Sequence, residues 1–246
     1  MIHYSFILVE SEEEGNVGAA ARALHTMGHQ DLRLVRPKVN HLSGLAQAMA
    51  HGSQHILEMA PVYDTLTAAL HDIDLTCGTT ARHRQEKYHY VSIRELPQQL
   101  QQKGELQRVA IVFGGERSGL SRQDLEPCDL ITTIPQSVIN PSLNLAQAVM
   151  VYSFVLAEAQ TQVQIKDQRL NRRTMPPLQY ASLKHSMMAL MERIHLSQRH
   201  QTYVMRALVR LPYEDLYLLH NIRSQIDRVL DRLESRVNPP DANHEP

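Results

Sequence analysis

The run Arg108-Val-Ala-Ile-Val-Phe-Gly-Gly-Glu-Arg-Ser-Gly-Leu120 decides the fold class of this 246-residue chain. Its first part, Val109 to Phe113, is a continuous apolar segment rich in β-branched residues, which predicts a buried strand of a parallel sheet. The three glycines that follow predict a sharp turn that presents bare backbone N–H groups. Ligands bind at the carboxyl ends of strands in open α/β sheets. Glu116, inside this turn, is therefore predicted to lie at a site.

A second motif follows about 25 residues later and points to the same place. Leu130 to Ile134 predicts another buried strand, which breaks at Pro135. The segment Asn140-Pro-Ser-Leu-Asn-Leu-Ala-Gln-Ala148 then opens an apolar helix, with Asn140 as N-cap and Pro141 at the first helical position. Either motif alone is equally well explained by a tight turn or a helix cap. Together they favour a functional site.

The rest of the first 160 residues alternates strands with short helices, which predicts an α/β fold with a mostly parallel sheet and helices on both faces. Apolar runs predict strands at Tyr4–Val9, Leu32–Val35 and Leu75–Gly78, with a weak one at Ile56–Leu57. Helices are predicted at Ala19–Met27, Leu42–Ala50, Leu66–Leu70 and Val91–Gln102.

Beyond this domain (residues 1–160) the chain becomes polar and then helical. Residues 161–176 predict a solvated linker, 177–237 a helical extension with an apolar stripe, and 238–246 a disordered tail. Residues 1–160 carry a net charge of -5 and residues 161–246 a net charge of +4. The basic second part permits a polyanionic partner.

Composition excludes several classes of protein. Hydrophobic residues make up 43% and charged residues 21%, as in ordinary globular proteins. The two cysteines, Cys77 and Cys128, give neither a disulfide framework nor metal-ligand spacing, so we expect a reducing cytoplasm and no metal. No apolar run approaches the ~18 residues of a membrane span, so we expect no membrane association.

Two further segments allow more than one interpretation. In Thr79-Thr-Ala-Arg-His-Arg-Gln-Glu-Lys-Tyr-His-Tyr90, cations alternate with rings, which suits phosphate contacts and base stacking by Arg82, Arg84 and Lys87. A solvated loop is the alternative. The segment Gly15-Asn-Val-Gly-Ala-Ala-Ala-Arg22 resembles a dinucleotide-binding loop. Because Arg36 stands near the position where an acidic residue would bind a ribose, an NADP-binding Rossmann oxidoreductase stays an alternative.

Three motifs in this order resemble the SpoU/TrmH branch of the SPOUT RNA methyltransferases. They are Asn16-Val-Gly-Ala-Ala-Ala-Arg22, Phe113-Gly-Gly-Glu-Arg-Ser-Gly-Leu120, and Ile134-Pro followed by Pro141-Ser-Leu-Asn-Leu-Ala-Gln-Ala148. The Thr79-Thr-Ala-Arg82 signature is most similar to the TrmJ and LasT-like tRNA/rRNA methyltransferases. The resemblance covers about residues 3 to 158.

This resemblance implies a carboxyl-terminal trefoil knot, S-adenosylmethionine as cofactor, and a homodimer with a composite RNA site. It implies methyl transfer to a ribose 2′-OH of tRNA or, second, of rRNA. A non-catalytic RNA-binding protein of the same knotted fold is an alternative. The implied cofactor contacts are Thr79, Thr80, Ala81, Gly114, Ile134, Pro141, Ser142 and Leu143. The implied catalytic residues are Arg22, Asn16, Glu116, Ser142 and Asn144.

The residue chemistry refines these roles. Family proposals make the arginine a general base, but a guanidinium stays protonated, so we expect Arg22 to stabilise the developing alkoxide or the target phosphate. Glu116 would order its loop, while the amide and hydroxyl residues would orient the ribose. Two features depart from the family: Gly115 stands where relatives often have Arg, and the acidic run at residues 12–14 is expected to repel phosphate.

Overall fold

In a computed structural model, the structure of the chain is described for residues 2–81, 90–137, 143–169 and 180–237. The chain divides into two compact units. The first comprises residues 1–101 and 106–176, and the second comprises residues 102–105 and 177–246.

The first unit is built on one sheet. Its strands are β1 (His3–Val9), β2 (Asp31–Val35), β3 (Val62–Tyr63), β4 (Leu75–Thr79), β5 (Tyr90–Ser92), β6 (Arg108–Phe113) and β7 (Leu130–Thr133). They lie in the order β3-β2-β1-β6-β4-β7-β5. Every pairing is parallel. The predicted α/β class with a mostly parallel sheet is therefore confirmed.

Seven helices accompany the sheet in the described part of this unit. They are α1 (Glu14–Thr26), α2 (Gly44–Ala50), α3 (Gln54–Met59), α4 (Leu66–Ala69), α5 (Leu96–Gln101), α6 (Arg122–Leu125) and α7 (Leu145–Arg169). On one face, Ile7 of β1 joins a buried cluster with Leu66 of α4 and Leu125 of α6. On the other face, Phe113 of β6 meets Tyr152 of α7 edge-on, with ring centroids 5.4 Å apart. Successive strand residues point to opposite faces, so helices cover both.

Three local predictions were wrong. Ile56–Leu57 lies in α3, because this apolar pair forms the buried face of a short helix rather than a strand. The segment predicted as a helix from Val91 begins with β5. The Gly15–Gly18 segment is not a loop but the first turns of α1. Gly18 is needed there for packing, since a Cβ would lie 2.1 Å from the carbonyl oxygen of Ala46 in α2.

Only the first part of the predicted linker lies among the described residues. Helix α7 continues to Arg169, so the first part of the predicted linker is helical, as its Gln-, Lys- and Arg-containing sequence allows. The rest of the linker and residues 238–246 lie outside the described residues. The trefoil knot stays a prediction.

The second unit contains three described helices, α8 (Tyr180–Arg193), α9 (Gln198–Leu208) and α10 (Tyr213–Val237). Arg193 of α8 donates to Asp231 and to Glu234 of α10, each at 2.7 Å. Lys103 is fully buried and its Nζ donates to the Leu211 carbonyl at 2.8 Å. Burial lowers the pKa of Lys103 to about 8. In the described part of the chain, no helix combines the length and the apolarity that crossing a membrane requires.

We predict an acid-sensitive contribution to stability at the amino-terminal edge of the sheet. Arg33 is buried and donates to Asp72 at 2.5 Å and to Asp31 at 2.9 Å. The hydrogen bond from Arg33 lowers the pKa of Asp72 to about 2. A lowered carboxyl pKa stabilises the fold above the unfolded pKa, and this stability is lost as the pH falls from about 4 to about 2.

Asp72→Asn is therefore expected to lower the free energy of unfolding at pH 7 by about 1 kcal/mol after allowance for solvent screening. It should also flatten the pH dependence between about 4 and 2. Urea unfolding of both proteins across this range measures the difference. An unchanged slope in the variant would contradict the assignment of this pH dependence to Asp72.

Candidate active site

A cavity of about 180 Å³ opens at the carboxyl ends of three neighbouring strands, β4, β6 and β7. Six of the eight predicted cofactor contacts line it: Thr79, Thr80, Ala81, Gly114, Ile134 and Leu143. The other two, Pro141 and Ser142, lie outside the described residues. Strand ends that are distant in sequence thus meet at one edge, as parallel pairing requires.

The wall of this cavity is the glycine loop, residues 114–120. The Gly119 N–H donates to the Gly115 carbonyl at 2.9 Å, so the loop closes on itself. A Cβ on Gly114 would lie 2.1 Å from the carbonyl carbon of Gly119 and from the nitrogen of Leu120. Gly119 has a φ of 65°, which is in the left-handed region that favours glycine. The close backbone approach therefore requires glycine at position 114, and the left-handed conformation favours glycine at position 119.

Three of the predicted catalytic side chains form one hydrogen-bonded network beside the cavity. Glu116 Oε1 accepts from Asn16 Nδ2, and Glu116 Oε2 accepts from the backbone N–H of Glu12, both at 2.9 Å. Asn144 Nδ2 donates to Asn16 Oδ1 at 2.7 Å. The Asn144 Oδ1 accepts from the Ala146 N–H at 2.9 Å, so Asn144 also caps the start of α7.

The remaining predicted residues are elsewhere or outside the described part. Arg22 is exposed on α1 and is not among the described residues that line the cavity. Ser142 and the predicted RNA-binding residues Arg82, Arg84 and Lys87 lie outside the described residues. Their roles stay predictions.

Two members of the acidic run make favourable interactions in the fold, and the expected repulsion of phosphate stays a prediction. The Glu12 carboxylate contacts Lys38 Nζ at 3.0 Å and Arg117 Nε at 3.1 Å, so its charge is balanced. Glu14 lies in the first turn of α1, where a negative charge favours the helix dipole. Sequence spacing alone does not reveal the two cations, because they come from other loops.

Part of the cavity lining is apolar. It includes Tyr152 and Phe113 together with Leu120 and Leu125. The Tyr152 hydroxyl donates to Thr132 Oγ1 at 3.2 Å, and burial raises the pKa of Tyr152. A site lined by apolar side chains, a carboxylate and bare backbone groups suits a planar heterocycle that carries a charged tail.

Glu116→Gln is expected to lower any turnover at this site about tenfold, although the two side chains have the same shape. Both Glu116 oxygens accept hydrogen bonds, whereas one end of a glutamine amide can only donate. The new NH2 group would therefore face another donor. Turnover and cofactor affinity should be measured beside Glu126→Gln, which changes an exposed carboxylate of α6's carboxyl end. Equal effects of the two substitutions would contradict this role.

The chain is similar in sequence to known methyltransferases. The chain is 44% identical over 154 residues to the uncharacterized tRNA/rRNA methyltransferase LasT of Escherichia coli, covering 62% of this chain and 67% of that protein. It is 32% identical to the tRNA (cytidine/uridine-2′-O-)-methyltransferase TrmJ of Pectobacterium atrosepticum, covering 92% of this chain and 97% of that protein.

Solved structures show the same fold. A probable methylase family protein from Haemophilus influenzae aligns with a TM-score of 0.66 and 30% identity, covering 94% of this chain and 99% of that one. The SpoU methyltransferase AviRb of Streptomyces viridochromogenes, solved in complex with AdoMet, aligns with a TM-score of 0.53 and 15% identity, covering 66% of this chain and 62% of that one. At this identity the second likeness concerns the fold alone.

Residues 3–154, more than half of the chain, match the sequence profile of the SpoU rRNA Methylase family. This match contains the glycine loop, the Asn16–Glu116–Asn144 network and most of the cavity lining. The similarity to the relatives named above and the parallel sheet both agree with this family match. The chain therefore belongs to the SpoU rRNA methylase family.

Proposed function

We propose that the protein is an S-adenosylmethionine-dependent methyltransferase that modifies a ribose 2′-OH of tRNA. The observation that carries this proposal is the position of the Asn16–Glu116–Asn144 network directly beside the cavity at the ends of β4, β6 and β7. The chain's relatives named TrmJ, which are tRNA 2′-O-methyltransferases by name, support tRNA over rRNA. A tRNA substrate implies a cytoplasmic protein.

The described residues fit S-adenosylmethionine. The apolar wall formed by Leu120, Leu125 and Tyr152 can cover an adenine ring, and the strand-end backbone at Gly114 and Ile134 can hold its polar edge. Glu116, a carboxylate on the cavity wall, complements a positively charged sulfonium. When bound, the cofactor supplies a methyl group on a sulfur that leaves with the bonding electron pair, so the reaction needs no metal.

The protein must make the ribose hydroxyl a better nucleophile. In the transfer, the 2′-oxygen would form a bond to the methyl carbon as the bond from that carbon to sulfur breaks, and the hydroxyl proton would pass to solvent water, so negative charge would develop on that oxygen as the proton leaves. Arg22 is permanently charged and would stabilise this oxygen or the adjacent phosphate. Asn16, which is held by Glu116, and Asn144, which donates to Asn16, would orient the ribose.

We also propose that the protein is a homodimer with a composite site. Arg22 lies on α1, which packs against α7. On the exposed side of α7, Phe154 is 52% exposed, which is unusual for a large apolar side chain in the middle of a helix. We propose that a second copy covers Phe154. In the composite site that the family resemblance implies, Arg22 would act at the cavity of the partner subunit.

Phe154→Lys is expected to weaken the dimer at least tenfold, because each subunit would bury a charge in place of an aromatic ring. Sedimentation at several protein concentrations measures this change. Tyr203→Lys on α9 is the matched control, since Tyr203 is 49% exposed and aromatic. A wild-type monomer, or a Phe154→Lys dimer of normal affinity, would contradict the proposed interface.

The decisive experiment uses bulk tRNA and rRNA from a strain that lacks this gene, with methyl-labelled S-adenosylmethionine. We expect label in tRNA, at ribose 2′-oxygens, and only background label with Arg22→Ala. Label in rRNA alone would correct the substrate. Cofactor binding without label in either RNA would favour a non-catalytic RNA-binding protein. Absence of cofactor binding would overturn the proposal, and binding of NADP instead would restore the Rossmann alternative.

A further inference from the structure

We propose that Arg36 is a positioning residue for the glycine loop and, through it, for the cofactor. Arg36 follows β2 and is outside the cavity lining among the described residues. Its side chain joins the ends of two structural elements that support the loop. The inference rests on the proposed function only in the step from the loop to S-adenosylmethionine.

The first support is at the carboxyl end of the loop. Arg36 Nη2 donates to Asp124 Oδ1 at 2.8 Å, and Asp124 is buried at the start of α6, which follows the glycine loop. Asp124 Oδ2 accepts from the Ser121 N–H at 3.2 Å and Ser121 Oγ accepts from the Asp124 N–H at 3.1 Å, and these two bonds form a capping box. Arg36 therefore connects the capping box of α6 to the end of β2.

The second support is beneath the loop. Arg36 Nε donates to Glu10 Oε1 at 3.2 Å. The carbonyl oxygen of Glu10 lies 2.7 Å from the place where a Cβ of Gly115 would be, so the loop rests directly on the Glu10 backbone. One guanidinium thus holds both the residue under the loop and the helix after it.

The backbone around this contact is strained, which indicates that the surrounding contacts maintain it. Glu10 has a φ of 53° and Arg36 a φ of 46°, although neither is a glycine. Such left-handed conformations cost on the order of 1 kcal/mol or more for residues with a side chain. The two residues follow neighbouring strands, with Val9 paired to Val35. Strain of this kind tends to occur at functional sites.

The charges argue for positioning rather than for binding of an external phosphate. Arg36 contacts the carboxylates of Glu10 and Asp124, and Lys38 contacts those of Glu10 and Glu12. Burial alone would raise the pKa of Asp124, but hydrogen bonds from Ser121 and Arg36 hold it below its ordinary value. Because Arg117 also contacts Glu12, three cations face three carboxylates, and the cations here are already paired before any external anion arrives.

The test compares Arg36→Met and Arg36→Lys with Arg108→Met. Arg108 is a suitable control because it pairs with Asp72 at 2.6 Å, is similarly exposed, and lies at the opposite end of the strand that leads into the loop. Calorimetry gives the Kd of S-adenosylmethionine, and steady-state kinetics gives KM for each substrate. Hydrogen exchange of the loop peptide gives a readout that does not depend on cofactor.

We expect Arg36→Met to raise the Kd and KM of S-adenosylmethionine about tenfold, with little change in KM for tRNA. Arg36→Lys should raise the same two constants about threefold, which is less than Arg36→Met, because one ammonium keeps the charge but cannot reproduce the two separate donors. Hydrogen exchange at the loop should accelerate in Arg36→Met and not in Arg108→Met.

Unchanged loop exchange and unchanged Kd in Arg36→Met, with only a lower Tm, would show a purely structural role and overturn the inference. Equal effects of Arg108→Met would overturn it as well, because they would indicate general destabilisation. If wild-type protein binds no S-adenosylmethionine, the proposed function fails. Faster loop exchange confined to the Arg36 variants would still support Arg36 as the residue that positions the loop.

Discussion

Arg22→Ala is expected to lower the rate of methyl transfer about a hundredfold, while the Kd of S-adenosylmethionine changes by less than about twofold. Arg22 does not line the cavity in the described part of the chain, so its loss should leave the cofactor pocket intact. Its charge would act only where negative charge develops on the ribose oxygen. Single-turnover methylation of tRNA, together with calorimetric cofactor titration, separates these two quantities.

The same residue permits a test between two chemical roles. If Arg22 stabilises charge, Arg22→Lys should keep a substantial part of the rate, since a lysine also carries a positive charge at neutral pH. If Arg22 were the general base, the rate should rise with pH, and Arg22→Lys should shift this rise to lower pH because a lysine loses its proton more readily. Arg108→Ala is the control for loss of an exposed arginine. Arg108 begins β6 at the amino-terminal end of the strand, whereas the cavity lies at the carboxyl ends of the strands.

The buried strands of the sheet were predictable because their signal is local. β6 is a continuous apolar run after Arg108, whereas β1 and β2 are mostly apolar but contain Ser5 and Arg33. Such a concentration of apolar residues identifies a strand that is buried on both faces without knowledge of its partners. β3 is only two residues long, and its pairing with β2 comes from tertiary structure. The segment at Ile56–Leu57 was misassigned, because a short apolar pair does not distinguish a strand from one side of a helix.

Many residues of the candidate site were predictable from the sequence, but the contacts between them were not. The glycine loop carries a local signal, since a tight turn restricts the residue types it accepts. The start of α7 was predicted too early, at Asn140 and Pro141, because the helix begins at Leu145 and Asn144 caps it. The contact between Asn16 and Asn144 joins residues 128 positions apart, and the resemblance to a family had only placed both among the catalytic residues. The pairing of Glu12 with Lys38 and Arg117 is also non-local. The acidic run at residues 12–14 was therefore expected from the sequence to repel phosphate, although two cations balance the charge of Glu12 in the fold.

Gly114→Ala is expected to weaken S-adenosylmethionine binding by at least about a hundredfold and so to abolish methylation. The added Cβ would lie 2.1 Å from backbone atoms of Gly119 and Leu120, and backbone atoms cannot rotate away as a side chain can. The loop must open, and an open loop removes the wall of the cavity. Calorimetric titration measures the loss of binding, and circular dichroism shows whether the sheet and helices remain.

The expected loss of binding comes from the close backbone approach at Gly114 and not from the loss of a glycine as such. Gly44→Ala is therefore the matched control, since an added Cβ on Gly44 would meet no atom within 4 Å. This substitution at the start of α2 should leave the Kd unchanged, as alanine also favours a helix. A folded Gly114→Ala protein that binds the cofactor normally would mean that the cofactor does not use the wall formed by the glycine loop. The cavity at the ends of β4, β6 and β7 would then lose its assignment as the methyl-donor site.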